Sequence, residues 1–237
     1  MHFNDYHIAY KKLISLGNIV PRPAAFGNKS KKELEESLKN LKKFLKLLGN
    51  PEKKMNFVHV TGTSGKGSVV TMVRQILSEN GYKTASYTSP HTTCYLERFN
   101  INEKLVDPKI LTSSINEVIK IYEKFLKQQN QALSFFELSV AVALYTFAKE
   151  KVDWCVLEVG CGGRYDATNV IPTPKAAIIT NIDKDHVELL GNSLTKIAHE
   201  KAGIIKKGGL VFSGEKRPAC RRIIRKEAQK QNAKIYF

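Results

Sequence analysis

Between residues 57 and 80 the chain passes from an apolar, β-branched run, Phe57 to Thr61, through Gly62-Thr63-Ser64-Gly65-Lys66-Gly67-Ser68. It then enters a helical period from about Ser68 to Asn80 that Gly81 stops. A strand joined to a helix through so many glycines leaves few architectures open. Glycine lets the backbone wrap closely around a phosphate, while the loop N–H groups and the helix N-terminus supply positive potential. Lys66 stands where its charge can neutralise that phosphate. The spacing departs from the general GxxxxGK[ST] loop, because Gly67 intervenes between Lys66 and Ser68. Thr63, Ser64, Gly65, Lys66, Gly67 and Ser68 are therefore the candidate phosphate-binding residues.

The rest of the pattern repeats this unit. Leu34, Leu38, Leu41, Phe44, Leu45 and Leu48 form one helical stripe ended by Gly49, with Pro51 close behind. Thr84 to Thr88 reads as a second strand, and Asp107-Pro108 opens a helix carrying Ile110, Leu111, Ile115, Val118, Ile119 and Tyr122. A polar turn (Gln128 to Gln131) precedes a helix over about Phe136 to Lys149. Val152 to Val159 is a strand bounded by Gly160, Gly162 and Gly163; Ala176 to Thr180, Leu210 to Ser213 and Lys234 to Phe237 are further strand candidates. Helices starting near Ser193 and Pro218 separate them. Six strands with interleaved helices predict an α/β fold, a doubly wound, mostly parallel sheet with ligands at the carboxyl ends of its strands. No internal repeat or low-complexity linker interrupts it, so residues 1–237 read as one domain with a helical lead-in over about 1–54.

Composition narrows the class. With 42% apolar residues the chain has enough to bury an ordinary core. The formal charge of +16 raises encounter rates with any polyanion, including a nucleotide. Its lysines are spread over amphipathic segments (Lys29 to Lys46, Lys120 to Lys127, Lys206 to Lys230) with no RNP-like or zinc-finger motif, so solvated helix faces are the reading and no nucleic-acid partner is expected. Cys94, Cys155, Cys161 and Cys220 form no CxxC pair, which suits a reducing cytosol. No basic patch followed by an apolar run marks a signal peptide, and Leu138 to Ala148 is too short to cross a bilayer. A cytoplasmic monomer acting on small molecules, with no membrane partner, is the expectation.

Ordered motifs then make the chemistry specific. Gly62 to Ser68 is followed by Ser89-Pro90-His91, Glu97-Arg98 and Ile101-Asn102, and next by Phe136-Glu137. Then come Leu157-Glu158-Val159-Gly160-Cys161-Gly162-Gly163-Arg164-Tyr165-Asp166-Ala167-Thr168-Asn169, Thr180-Asn181-Ile182-Asp183-Lys184-Asp185-His186, Leu190-Gly191 and Glu200-Lys201-Ala202-Gly203-Ile204. Over roughly residues 57 to 205 this resembles the folylpolyglutamate synthase/dihydrofolate synthase family of the Mur ligase superfamily. The phosphate loop and the Asp185-His186 pair are shared with other Mur ligases; the Glu158 to Asn169 block is similar to the folate branch. Ser64, Cys161, Tyr165 and Glu103 depart from the family's usual residues, and the family's smaller C-terminal domain is not in this sequence.

The resemblance implies an ATP-binding domain of Mur ligase central-domain type in a Mg-ATP-dependent ligase. That enzyme joins L-glutamate to a folate or dihydropteroate carboxylate through an acyl phosphate. It places ATP on Thr63 to Ser68 and one Mg2+ on Ser89, Glu158 and His186. The folate-type substrate falls by Ser134, Phe135, Phe136 and Glu137 and by Tyr165, Asp166 and Ala167. Catalytic roles go to Lys66, His186 and Lys201, the last as a carbamylated oxygen ligand for a second Mg2+. On residues alone, Lys201 is an ordinary solvated helix lysine and Phe135 and Phe136 are core aromatics. Another Mur-type amide ligase, or an ATP/Mg-binding module without ligase turnover, remains the alternative. The 237 residues alone are expected to bind nucleotide without completing the ligation.

Overall fold

A computed structural model describes residues 3–19, 30–129 and 132–237. Its centre is an eight-stranded sheet in the order β4-β3-β2-β5-β1-β6-β7-β8. The strands are β1 (Asn56–Thr61), β2 (Thr84–Tyr87), β3 (Phe99–Ile101), β4 (Lys104–Leu105), β5 (Trp154–Glu158), β6 (Ala176–Ile179), β7 (Leu210–Ser213) and β8 (Lys234–Tyr236). From β2 to β8 all neighbours are parallel; only β3 and β4 pair antiparallel, at one edge. β1 lies between β5 and β6, with Val58 opposite both Val156 and Ala176. The chain therefore reverses its direction of winding around β1. In open parallel sheets such a switch leaves a crevice at the carboxyl ends of the strands.

Both faces of β1 are covered, which explains its unbroken apolar run. On one face, Val58, Val60 and Val156 meet Val70 of α3 (Lys66–Glu79). On the other, Phe57 and Leu157 join the large core formed with α1 (Phe3–Gly17), α2 (Lys31–Leu47), α4 (Pro108–Gln128) and α5 (Phe135–Lys149). The same face continues over β6 and β7, where Ala177, Ile179 and Val211 pack under α7 (Leu194–Ala202) and α8 (Pro218–Lys230). The helical layers are thus unequal. On the α3 side, past β6, Phe212 and Tyr236 stack with ring centroids 5.5 Å apart and stay exposed.

The β3–β4 hairpin and the short α6 (Val187–Leu190) were not predicted. Strands of three and two residues are too short to show a period, and the signal lies only in Asn102, which turns at φ 53. α3 also begins at Lys66 itself, after Gly65 in the left-handed region at φ 75. No helix among the described residues is long and apolar enough to cross a membrane.

Candidate active site at the carboxyl ends of the strands

The glycine loop is braced from the neighbouring strand. Thr180, just past β6, donates its hydroxyl to the Ser64 carbonyl at 2.7 Å. Asn181 Oδ1 accepts from the Ser64 amide at 2.9 Å, and its backbone carbonyl takes the Thr63 amide at 3.0 Å. The Thr63 hydroxyl also exchanges bonds with the backbone of Asp183. A Cβ on Gly62 would stand 1.7 Å from Thr180 Oγ1, so only glycine lets the two segments meet. Lys66 Nζ folds back onto the Thr63 carbonyl at 3.3 Å, over the concave side of the loop. Thr63 to Ser68 are thus held as one loop at a helix N-terminus, an arrangement able to cradle an anion.

Beside it ends β5. Glu158 is 5% exposed, and its Oε2 accepts the Ser89 amide at 3.0 Å. Burial pushes its carboxyl above the usual range; the Ser89 amide and the Lys66 charge oppose this. A Cβ on Gly67 would lie 4.0 Å from the same oxygen, so the carboxylate faces the start of α3. No ion pair among the described residues answers it. His186 lines the same cavity as Ser89 and has a left-handed backbone, φ 47, its Nε2 3.7 Å from Asp185 Oδ1. Among the described residues no three histidine, cysteine or carboxylate side chains converge. One carboxylate, one hydroxyl and one imidazole fit a cation that keeps waters and takes phosphate oxygens, as Mg2+ does.

Lys201 is not solvated. It is 2% exposed and donates to the Gly62 carbonyl at 2.8 Å, under the phosphate loop. Burial, reinforced by Lys66, pushes its amine down to about 8.

The expected substrate wall divides in two. Ser134, Phe135 and Phe136 line a cavity of about 610 Å³ with Ser89, His91, Arg98, Gly160 and His186, closed on one side by Tyr10 of α1. Tyr165 and Asp166 line a separate depression of about 280 Å³ beyond Cys161 and Leu189. Glu137 and Ala167 line neither. Glu137 is spent as a helix cap, its Oε2 accepting from both the amide and the hydroxyl of Ser134 at 2.7 Å. Asp166 is 1% exposed and holds its own loop, accepting from the amides of Cys161 and Thr168 at 2.9 Å. The first turn of α5 is clamped: a Cβ on Gly17 would meet Phe135 Cα at 2.4 Å, and one on Gly160 would meet Phe136 Cζ at 2.5 Å. Sequence reasoning gives no site role to Thr180, Asn181, His91, Arg98 or Tyr10. For Thr180 and Asn181 a signal was available, since they end a predicted strand and open the Thr180 to His186 motif, although their place beside the glycine loop follows from the pairing of β1 with β6.

A parallel sheet carrying this loop and a buried strand-end carboxylate defines a phosphate-loop α/β domain. The chain belongs to the Mur ligase family: the Mur ligase middle domain matches residues 60–237. Its curated relatives include the dihydrofolate synthase/folylpolyglutamate synthase of Bacillus subtilis, 37% identical over 201 residues (84% of this chain, 46% of the relative). The dihydrofolate synthetase of Saccharomyces cerevisiae is 39% identical over 177 residues (74% and 40%). Among solved structures, the folylpolyglutamate synthase of Thermotoga maritima matches with a TM-score of 0.85 and 31% identity, covering all of this chain and 50% of that one. A folylpolyglutamate synthase complex with AMPPCP and folate matches at a TM-score of 0.85 and 30% identity, covering 97% and 53%. The chain thus spans about half the length of these relatives.

Proposed function

We propose that these residues form the ATP-binding half of a ligase that joins L-glutamate to a folate- or dihydropteroate-type carboxylate through an acyl phosphate. The observation that carries the reading is Glu158. A buried, unpaired carboxylate is costly, and this one lies between the phosphate loop and the aromatic cavity, in touch with Ser89. That is where a nucleotide's terminal phosphate and a substrate carboxylate would have to meet. The relatives' names and the AMPPCP–folate complex support the same pairing of ligands.

Phosphoryl transfer asks the protein mainly for positioning and charge neutralisation. The loop amides and the α3 N-terminus hold the phosphates, and Lys66 swings from Thr63 onto them. Glu158, Ser89 and His186 would hold a Mg2+, which when bound neutralises phosphate charge. Lys201, whose amine is pushed down to about 8, is placed to lose its proton and accept CO2, becoming an oxygen donor for a second Mg2+. Phe135 and Phe136 offer rings to a flat substrate. Closure by the other half of the enzyme would keep water off the acyl phosphate. A monomer in the cytoplasm completes the reading, and the four free cysteines suit that reducing compartment.

The test is calorimetry and mass spectrometry on the 237-residue protein. MgATP should bind, Lys66→Ala should weaken it roughly 10- to 100-fold as a charge-assisted contact is lost, and no glutamylated product should form without the other half. ATP affinity indifferent to Lys66→Ala would refute the site. Thermal protection by a muramyl peptide but not by pteroate would move the protein to another Mur ligase branch.

A further inference from the structure

The aromatic cavity holds a positive charge that no carboxylate of the described residues contacts. Arg98 closes the short 3-10 turn Tyr95–Arg98 and is only 8% exposed. No carboxylate among the described residues lies in ion-pair contact with it. Its neighbour Glu97 is turned away, accepting the amides of Thr92, Thr93 and Cys94. Glu158 acts on Arg98 only at longer range and feels Lys66 more strongly. Buried charges are ordinarily paired, because desolvating one alone is expensive.

The guanidinium is aimed rather than merely stored. Its Nε donates to His91 Nδ1 at 2.9 Å and its NH1 to the Tyr87 hydroxyl at 3.2 Å. Its Cζ stands 5.9 Å from the ring centroids of both Tyr95 and Phe135. Two of the five N–H groups of an arginine are thereby used, and the remainder include NH2, which is not among the buried polar atoms lacking a partner. Arg98 and His91 both line the cavity. With Nδ1 accepting from Arg98, His91 keeps its proton on Nε2, a further donor.

We propose that Arg98, oriented by His91 and Tyr87, is the residue that selects an anion in this cavity, gripping a carboxylate of the aromatic substrate in a planar two-point pair. The substrate's identity rests on the folate-type reading; its negative charge rests on the cavity alone. Neutral partners such as Tyr87 and His91 would be served equally by an uncharged side chain. The charge is explained by a ligand that carries the opposite one.

The experiment compares pteroate with its primary carboxamide, and 4-aminobenzoate with its amide, by calorimetry on wild type, Arg98→Met and Arg98→Lys. Wild type should prefer each acid. Arg98→Met should lower pteroate affinity roughly 10- to 100-fold, the scale of a charged hydrogen-bond pair, and leave carboxamide and MgATP affinities within a factor of about 2. Arg98→Lys should fall between, having kept the charge and lost the fork. Equal losses for acid and amide, or a wild type that does not prefer acids, overturns the proposal. An Arg98-dependent preference for 4-aminobenzoate with no pteroate binding would uphold Arg98 and refute the folate reading. Should Arg98→Met not fold, the acid-to-amide ratio of Arg98→Lys decides, and an unchanged ratio refutes.

Discussion

Lys201 should make stability depend on pH in a way that one substitution reverses. Its amine is pushed from 10.5 down to about 8 by burial and by Lys66. Between those two values the unfolded lysine keeps a proton that the folded one has released. The unfolded state then binds more protons, and stability rises with pH through the window. At about 1.4 kcal/mol per decade, holding the ammonium folded at pH 7 costs about 3 kcal/mol. Lys201→Met removes that cost and gives up the bond to the Gly62 carbonyl, worth about 1 kcal/mol. The variant should therefore be roughly 2 kcal/mol more stable than wild type at pH 7, about 4–8 °C in Tm for a domain of this size. Near pH 10.5 the order should invert, because the neutral wild-type amine keeps its hydrogen bond at no electrostatic cost. Urea melts of both proteins in CO2-free buffer, at intervals from pH 7 to 10.5, provide the measurement. Titrating groups away from Lys201 cancel in the difference, while Lys66 and Cys161, which feel its charge, add a smaller slope of their own. A difference that is flat across the window would refute the burial argument, whatever its sign.

Two further substitutions probe the neighbouring parts. Glu158→Gln removes a desolvated charge at nearly constant shape, so thermal melts without ligand should show stability held or raised. Titrations should show the Mg2+ concentration needed for tight ATP binding rise about tenfold or more, as expected when a charged contact is lost. Gly62→Ala must displace Thr180, whose hydroxyl seats Ser64. It should lower stability by about 1–3 kcal/mol in denaturant melts, the usual cost of overpacking, and ATP affinity should fall with it. Gly67→Ala, whose Cβ meets nothing nearer than 4.0 Å, is the steric control and should leave stability in place.

The parts legible in the sequence are those with local causes. β1 and β5 are buried on both faces, so they read as continuous apolar runs, and the loop between β1 and α3 carries its glycines in a row. The parts that were not legible depend on segments far apart in the chain. Lys201 sits between Glu200 and Ala202 on a helix, a setting that locally reads as solvated; its burial comes from α7 packing against the Gly62 loop, 139 positions away. Arg98 entered the sequence reading only as part of the Glu97-Arg98 motif, and the structure turns Glu97 onto the amides of Thr92 to Cys94, away from it. The substrate residues came from the resemblance in two groups, Ser134 to Glu137 and Tyr165 to Ala167. Glu137 instead turns back to cap α5, and the Tyr165 loop lies behind Cys161 and Leu189. Whether a side chain faces a cavity or its own backbone is decided by capping and loop geometry, which spacing alone does not express.

α5 is buried on every side from Glu137 through Leu144, and it packs against α4, α1 and the sheet. A helix with no free face has nowhere to yield. Added volume at any of those positions must displace a neighbouring layer, so the helix acts as a fixed post rather than an adaptable wall. On this helical wall, freedom to change what the cavity admits is therefore confined to the leading residues, Phe135 and Phe136, with Gly160 opposite the second ring. A lineage that altered its substrate while keeping this fold would change Phe136 and Gly160 as a pair, since that ring fits only because Gly160 has no side chain; Gly17 meets the backbone of Phe135 and has to stay glycine whatever that ring becomes.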